Sequence, residues 1–248
     1  MTPPLPEAGA SWALFLDFDG TLAELAEHPE QVRVGAEPVA LLERLDTLLD
    51  GAVAVISGRS IETLDRLLHP ARPQAAGLHG MQLRDPGKAA AGTDGTLLAA
   101  ARRALQKFAA RHSGVLLEDK GGALALHYRS APALREACRR AAEDAARGLD
   151  DYHVLDGKMV YELKPVAANK GLAISAFLEL PPFRDRRPVF AGDDRTDEDG
   201  FALVNAYGGV SIKVGAGSTL ARYRVDGVAG LLAWLERLAG CLERVRAG

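Results

Sequence analysis

Two aspartates stand directly after the first apolar segment of the chain. Residues 12–16 read Trp-Ala-Leu-Phe-Leu, and the next five are Asp17-Phe18-Asp19-Gly20-Thr21. An unbroken apolar run is typical of a parallel strand that is covered on both faces, and ligands bind at the carboxyl ends of such strands. We therefore expect two carboxylates at a binding edge, where one can attack an electrophile and the other can transfer a proton. Taken alone, the pair fits a solvated turn equally well.

Three further groups follow segments that we predict to be strands or the start of a helix. Ser57 ends the apolar segment 53–56, and its hydroxyl and the neighbouring backbone N–H groups are suited to an anion. Lys170 follows Asn169, a residue type that caps helices, so its ammonium is expected near a helix start. Carboxylates are dense in the run 193–199. Each signal alone also fits a turn, a solvated lysine or a charged helix start.

The charges of these groups together predict a bound cation. If Asp17, Asp19 and Asp193 converge, each like-charge pair about 4 Å apart costs about 4 kcal/mol at an effective dielectric constant of about 20. Ligands that are all oxygen favour a hard ion, and Mg²⁺ fits best because it also accepts an oxygen from a substrate phosphate. Lys170 adds a second positive charge. A carboxylate beside both cations can attack phosphorus and form an aspartyl-phosphate, while a second carboxylate handles the proton.

The pattern of apolar residues predicts an α/β core that is interrupted by a second domain. Strand-like and helix-like segments alternate towards both ends of the chain, which implies a parallel sheet with right-handed crossovers. The predicted core strands are 12–16, 53–56, 188–191 and 209–214, and the predicted core helices are 37–49, 60–68, 169–180, one from 198, and 228–245.

Between these segments the alternation stops. Residues 84–95 are rich in Pro, Gly and Ala. After them we predict helices at 96–112 and from 132, and strand pairs at 115–118 with 122–129 and at 152–155 with 158–163. We therefore assign residues 1–83 and 164–248 to the core, and residues 84–163 to a smaller inserted α+β domain.

The composition excludes several function classes. The chain has 248 residues and a formal net charge of −3, which does not provide the basic face that binds nucleic acid. Two cysteines, Cys138 and Cys241, suit a reducing compartment and supply neither a disulfide framework nor a metal cluster. The sequence shows no long apolar span and no leader pattern, so we expect a cytoplasmic protein. We expect no nucleic acid, no membrane and no obligate protein partner.

Four motifs occur in the order that is typical of one superfamily of phosphohydrolases. In Asp17-Phe-Asp19-Gly-Thr21, Ser57-Gly58-Arg59, Asn169-Lys170-Gly171 and Gly192-Asp193-Asp194, the chain resembles the haloacid dehalogenase superfamily. The resemblance implies a Rossmann-like α/β core with a parallel sheet and an inserted α/β cap domain. It also implies that Asp17 is the nucleophile, and that Asp19 protonates the leaving oxygen and then activates water. Asp19 favours phosphate ester hydrolysis over dehalogenation, because a halide leaving group needs no proton.

The same resemblance implies where phosphate and metal bind. The implied phosphate-binding residues are Ser57, Gly58, Thr21 and Lys170. The implied ligands of Mg²⁺ are the Asp17 carboxylate, the Asp19 main-chain carbonyl and the Asp193 carboxylate, supported by Asp194 or Asp197. The sequence leaves the choice between the last two open.

The insert lies after the second motif, since the interval from Ser57 to Lys170 is far longer than that from Asp17 to Ser57. This placement resembles the sugar-phosphate branch of the superfamily. Alternation in residues 158–164 predicts a strand with one polar and one apolar face. The predicted polar face carries Lys158, Val160, Glu162 and Lys164. Residues 124–129 alternate in the same way, and a solvent-facing layer of charges explains both patterns as well as a ligand site does.

Motifs across nearly the whole chain resemble the trehalose-6-phosphate phosphatase family. They are Gly77-Leu-His79-Gly80, Glu118-x-Lys120, His127-Tyr-Arg129, Gly157-Lys158 with Glu162, and the run 192–201. The resemblance implies Mg²⁺-dependent hydrolysis of a phosphorylated disaccharide, with a cap that closes over a phosphoenzyme. The implied substrate-binding residues are Lys120, Arg129, Lys158, Glu162, Lys164, His79 and Arg59. Fixed donors and acceptors reject ligands that lack the matching hydroxyls.

Two alternatives stay open at this point. A sucrose-phosphate or mannosyl-phosphoglycerate phosphatase shares the core and the cap type, and only the polar residues of the cap separate these enzymes. A non-catalytic phosphate-sensing module similar to a receiver domain also has an acidic pocket, a phospho-accepting Asp and a Lys. Receivers are much shorter and carry the acceptor Asp on a later strand, which disfavours this alternative.

Overall fold

The structure is a computed structural model that describes residues 1–7, 9–26, 28–84, 98–166 and 168–247. Its strands are β1 (Trp12–Leu16), β2 (Val53–Ile56), β3 (Gln74–Gly77), β4 (Gln82–Leu83), β5 (Leu116–Asp119), β6 (Leu124–His127), β7 (Tyr152–Gly157), β8 (Val160–Pro165), β9 (Arg187–Gly192), β10 (Val210–Val214) and β11 (Tyr223–Val225). Its helices are α1 (Ala36–Leu48), α2 (Ile61–Leu68), α3 (Ala99–Arg111), α4 (Arg135–Ala146), α5 (Lys170–Leu178), α6 (Glu198–Ala206) and α7 (Gly227–Ala247).

The chain divides into two compact units. The first comprises Met1–Ala89 and Asn169–Gly248, and the second comprises Ala90–Ala168. The boundaries predicted at residues 84 and 163 lie a few residues before these. The role of the second unit as a substrate-specificity cap stays a prediction.

A seven-stranded sheet forms the first unit, in the order β11-β10-β9-β1-β2-β3-β4. Neighbouring strands are parallel except for β4, which is antiparallel to β3. β1 lies between β9 and β2, and all five of its residues are buried. The predicted α/β class with a parallel core sheet is therefore confirmed. Because parallel strands end at the same edge, the segments that follow β9, β1 and β2 come together there.

The start of α5 is fixed by its own sequence. The side-chain oxygen of Asn169 accepts the Leu172 backbone N–H at 3.1 Å, which confirms the predicted helix cap. The Asn169 amide nitrogen also donates to Asp199 at 2.8 Å. This capped start makes Lys170 the first residue of the helix, and its side chain is only 3% exposed.

A four-stranded antiparallel sheet in the order β5-β6-β8-β7 forms the second unit. Apolar residues of α3 and α4 pack on one face of this sheet, as the α+β pattern predicts. The buried cluster between them includes Leu105, Leu126, Tyr128, Cys138, Tyr161 and Leu163. The alternating residues Ala125 and Glu162 are paired on the opposite face.

Some predicted details are wrong. Lys158 does not lie on a strand, because Lys158 and Met159 form the turn between β7 and β8 and Met159 has a left-handed φ of 64°. Arg129 lies just beyond the end of β6. The strands β3, β4 and β11 were not predicted, because these short segments lack a long apolar run.

Residues 85–95 of the Pro/Gly/Ala-rich stretch, and the first two residues of the helix predicted from 96, lie outside the described residues. Among the residues that are described, none of the helices is long and apolar enough to span a membrane.

Candidate active site

Asp17 and Lys170 form a buried ion pair at the carboxyl edge of the first unit's sheet. The Lys170 Nζ lies 2.6 Å from the Asp17 Oδ1, and the Thr21 hydroxyl donates to the other carboxylate oxygen, Oδ2, at 3.0 Å. Asp17 follows the last residue of β1 and is 4% exposed. The sheet and the capped helix therefore bring two residues that are far apart in sequence into direct contact.

A second buried carboxylate shares the same lysine. The Lys170 Nζ donates to the Asp197 Oδ1 at 2.7 Å, and the backbone N–H of Asp194 donates to the Asp197 Oδ2 at 2.9 Å. The Asp194 carboxylate is held elsewhere, since its Oδ1 accepts the Thr196 backbone N–H at 2.7 Å and the Thr196 hydroxyl at 2.6 Å. These contacts form a capping box at residues 194–197. Of the two carboxylates that the sequence left open, Asp197 is the one that contacts Lys170.

Three carboxylates converge beside this lysine. One oxygen from each of Asp17, Asp193 and Asp197 lies within 4.8 Å of the other two. The Asp193 carboxylate lies against Gly20, whose φ is +80°, and a Cβ at that position would overlap it. The glycine of the first motif is therefore needed for the close approach of Asp193 as well as for the turn.

A buried lysine that we did not predict holds the main chain of this acidic segment. Lys213 lies on β10, is 4% exposed, and donates from Nζ to the main-chain carbonyl of Asp193. Its neighbours Ile212 and Val214 are buried core residues. A lysine between two apolar residues of a predicted core strand was a signal in the sequence that pointed to a buried polar role.

Burial and mutual repulsion perturb the protonation of the cluster. Burial, and then the charges of Asp197, Asp193 and Asp194, raise the pKa of Asp17 well above its usual range, although Lys170 opposes this. Burial likewise raises the pKa of Asp197 to about 6. Burial lowers the pKa of Lys170, but the surrounding carboxylates outweigh it and raise that pKa well above its usual value. The cluster thus has more negative charge than one lysine neutralises.

This donor set fits a hard divalent cation. The three converging groups are all carboxylates, which are oxygen ligands of the kind that Mg²⁺ prefers, and their excess charge favours a cation among them. Asp17, Asp193 and Asp197 are the side chains placed to hold it. The Asp19 carboxylate is not part of this cluster, and the resemblance implies its main-chain carbonyl as a ligand.

Asp19 is paired with Arg59. The Arg59 Nε and Nη2 donate to the two oxygens of the Asp19 carboxylate, each at 2.7 Å. The side chain of Arg59 is 9% exposed, that of Asp19 is 31% exposed, and the guanidinium carbon lies 5.5 Å from the centre of the Phe18 ring. The structure therefore places Arg59, which the resemblance implies as a substrate ligand, against the second carboxylate of the first motif.

Ser57 follows β2 and is 1% exposed. Its backbone N–H donates to the Ala76 carbonyl at 2.8 Å, so this group serves the sheet rather than an anion. Its hydroxyl oxygen accepts the Arg59 backbone N–H at 3.1 Å, and its carbonyl accepts the backbone N–H of His79 at 2.9 Å. His79 is 4% exposed and has a left-handed φ of 55°. The loop after β2 thus brings together three predicted site residues.

The second unit carries pairs of polar side chains on one face of its sheet. The Lys120 Nζ lies 2.7 Å from the Glu162 Oε1, and the His127 Nε2 lies 2.9 Å from the Glu118 Oε2. Glu162 is 6% exposed and Lys164 is 4% exposed, so a solvent-facing layer does not describe these two residues. Lys158, in the turn before β8, is exposed. Glu118 and His127 belong to two of the motifs that resemble the family, but neither residue was predicted to bind a ligand.

The fold of this chain is shared by a phosphatase of known structure. A phosphatase of the haloalkanoate (HAD) enzyme superfamily from Bacteroides thetaiotaomicron shares it, with a TM-score of 0.59 at 16% identity, covering 95% of this chain and 98% of that one. At this level of identity the likeness shows the fold alone. The family described as Trehalose-phosphatase matches residues 15–229, and the chain belongs to this family.

Named relatives match this chain over nearly its full length. The chain is 43% identical over 251 residues to the trehalose-6-phosphate phosphatase of Escherichia coli (strain K12), covering 99% of this chain and 94% of the relative. A solved structure described as a trehalose-6-phosphate phosphatase related protein has a TM-score of 0.77 at 26% identity, with 92% of this chain and 97% of that chain covered.

Proposed function

We propose that this protein hydrolyses trehalose 6-phosphate to trehalose and inorganic phosphate, with Mg²⁺ as cofactor. The observation that carries the proposal is the buried contact of Lys170 with both Asp17 and Asp197, in a chain of the Trehalose-phosphatase family. The contact supplies an attacking carboxylate that is held in place and partly neutralised, as covalent phosphoryl transfer requires.

The chemistry is assigned to two carboxylates that lie in different surroundings. An oxygen of Asp17 attacks phosphorus, the bond to the sugar oxygen breaks, and Asp19 gives that oxygen its proton. Asp19 then removes a proton from water, which attacks the phosphorus of the aspartyl-phosphate and regenerates Asp17. Lys170 orients Asp17 and neutralises charge near the phosphoryl oxygens. When it is bound, Mg²⁺ supplies further charge neutralisation of those oxygens.

The phosphate and sugar groups are assigned to the other predicted residues. Ser57 has a buried hydroxyl whose oxygen already accepts an N–H, which leaves its proton for a phosphoryl oxygen. On the second unit, Lys120 and Glu162 present a paired cation and anion that suit hydroxyl groups of a disaccharide. We assign Lys164, Lys158, Arg129 and His79 to this recognition on the family resemblance.

The test of substrate is phosphate release across a panel. The purified chain is assayed with Mg²⁺ on trehalose 6-phosphate, sucrose 6-phosphate, mannosyl-phosphoglycerate and glucose 6-phosphate, with Asp17→Asn as the control for contaminating phosphatases. We expect trehalose 6-phosphate to be preferred by at least about 10²-fold in kcat/KM, because fixed hydrogen-bonding groups discriminate more strongly than the roughly 10²-fold that apolar contacts provide. Equal rates on glucose 6-phosphate would refute the specificity. Activity that persists in EDTA would refute the cofactor.

The covalent step has its own test. The Asp19→Asn variant keeps the nucleophile Asp17 but lacks the base for the second step. The substrate is p-nitrophenyl phosphate, whose leaving group departs well without a proton. We expect a burst of about one p-nitrophenolate per enzyme followed by slow turnover. Acid-quenched protein should carry one hydroxylamine-labile phosphate that maps to Asp17. A burst without phosphate on that peptide contradicts the mechanism.

A further inference from the structure

The guanidinium of Arg59 is fixed in place by its own loop. The Arg59 backbone N–H donates to the Ser57 hydroxyl oxygen at 3.1 Å, and the Arg59 carbonyl accepts the Leu78 N–H at 3.0 Å. The side chain packs over the Phe18 ring at 5.5 Å. Because main chain and side chain are both held, the direction of the guanidinium is set by the loop after β2.

The two hydrogen bonds from the Arg59 guanidinium also orient the Asp19 carboxylate. Two parallel N–H···O bonds of 2.7 Å fix the plane of the carboxylate as well as its position, which a single contact does not do. They occupy two of the roughly four lone-pair sites of the carboxylate, so each oxygen keeps acceptor capacity for a proton. The side chain of Asp19 is 31% exposed, and these two bonds from a side chain that is 9% exposed orient its carboxylate.

We propose that Arg59 is the positioning residue of Asp19, and that it acts on proton transfer rather than on substrate binding. This inference rests on the proposed function, since it needs Asp19 as the acid. It assigns Arg59 a role that differs from the substrate contact implied by the family resemblance. The link between the loops after β1 and β2 holds the proton donor in register with the phosphate-binding hydroxyl of Ser57.

Dependence on the leaving group separates this role from a structural one. The value of kcat/KM reports the steps up to departure of the leaving group, so it isolates the step that needs an acid. A misplaced acid slows release of an alkoxide or phenolate far more than release of p-nitrophenolate, which leaves well without a proton. The probes are trehalose 6-phosphate, phenyl phosphate and p-nitrophenyl phosphate. The two aryl esters are similar in shape, so their comparison does not involve sugar recognition.

For Arg59→Gln we expect kcat/KM on trehalose 6-phosphate to fall about 10²-fold, which is within the range that positioned acids contribute. On phenyl phosphate kcat/KM should also fall, and by more than on p-nitrophenyl phosphate, where the fall should be less than about threefold. The loss should lie in kcat, with KM little changed. Arg59→Lys keeps the charge but cannot bind both oxygens, and should show the same unequal loss. If Arg59→Gln does not fold, Arg59→Lys decides the question.

The matched control is Arg84→Gln. Arg84 pairs through its two terminal nitrogens with Asp65 in the same unit. The side chains of Arg84 and Asp65 are 17% and 31% exposed, against 9% and 31% for Arg59 and Asp19. We expect its kcat/KM to be unchanged on all three esters. Equal losses on the two aryl esters in the Arg59 variants, or a rise in KM alone, would overturn the inference. Inactivity of the wild-type chain on trehalose 6-phosphate would instead refute the proposed substrate.

Discussion

The acidic edge of the first unit and the polar sheet face of the second unit use buried charge in opposite ways. At the edge, one lysine is shared by Asp17 and Asp197, with Asp193 beside them, so negative charge is in excess. On the sheet face, Lys120 meets Glu162 one to one. An excess of negative charge in a low-dielectric site attracts a cation, and the bound cation in turn attracts an anionic phosphoryl group, whereas a balanced face suits a neutral, hydroxyl-rich ligand.

The largest effect is expected where the shared cation is removed. Lys170→Met leaves two buried carboxylates without their partner, and we expect the free energy of unfolding in EDTA to fall by about 3–5 kcal/mol. Turnover should be lost because Asp17 is no longer oriented. Urea denaturation and phosphate release measure the two effects, with Lys107→Met on the exposed face of α3 as the control. A variant as stable as the control contradicts the shared-charge interpretation.

The same excess of charge predicts an unusual dependence of stability on pH. The folded-state pKa of Asp197, about 6, is raised above its unfolded value of about 3.8. The folded protein therefore binds this proton more tightly, and the stabilisation is present below about pH 4 and is lost as the pH rises through 6. In EDTA, the unfolding free energy of the wild type relative to Asp197→Asn should fall by up to about 3 kcal/mol between pH 4 and 7.

Saturating Mg²⁺ sharpens this experiment. A cation among the carboxylates stabilises their ionised forms, so it should flatten the difference between the two proteins over this pH range. A difference that rises with pH in EDTA would show that Asp197 is charged in the folded state at pH 4, contrary to the burial that raises its pKa.

On the second unit we expect a loss of substrate recognition. Glu162→Ala removes the carboxylate that pairs with Lys120, and kcat/KM for trehalose 6-phosphate should fall by about 10²-fold. Phenyl phosphate, which lacks the sugar, should be hydrolysed as by the wild type. Asp156→Ala is the matched control, since Asp156 pairs across the sheet with Tyr161 on the apolar side. Equal losses in both variants would remove the recognition role from the polar face.

The sequence allowed much of the first unit to be predicted because its signals are local and mutually consistent. The apolar run of β1, the Asn169 cap and the parallel-strand rule together predict that Asp17 and Lys170 meet. The pairing of Asp19 with Arg59 was not predicted, since a long side chain can reach several partners and only the folded loop selects one. That Lys170 contacts Asp197 rather than Asp194 likewise depends on the capping box, in which the backbone geometry directs the Asp194 carboxylate to Thr196.

The second unit shows where periodicity misleads. Alternation placed Lys158 on a strand, but Met159 adopts a left-handed φ in the turn, a conformation that is uncommon for this residue type and leaves no clear signal in the sequence. From Val160 onwards the alternation holds, and Tyr161 and Leu163 are in the apolar cluster. Patterns therefore predict the faces of a strand better than they predict where the strand begins.

The smallest predicted effect tests whether the acidic edge depends on local helix capping. Asn169→Ala removes the acceptor of the Leu172 N–H and the donor to Asp199, and loss of a helix cap costs about 1 kcal/mol. We expect the melting temperature to fall by about 2–4 °C. Asn169→Asp keeps the cap acceptor but loses the donor to Asp199, so it should recover only part of the lost stability. If Asn169→Ala leaves turnover unchanged, the ion pairs of Lys170 alone position its ammonium. If kcat falls at a temperature where the variant is fully folded, the capped helix start contributes to that position.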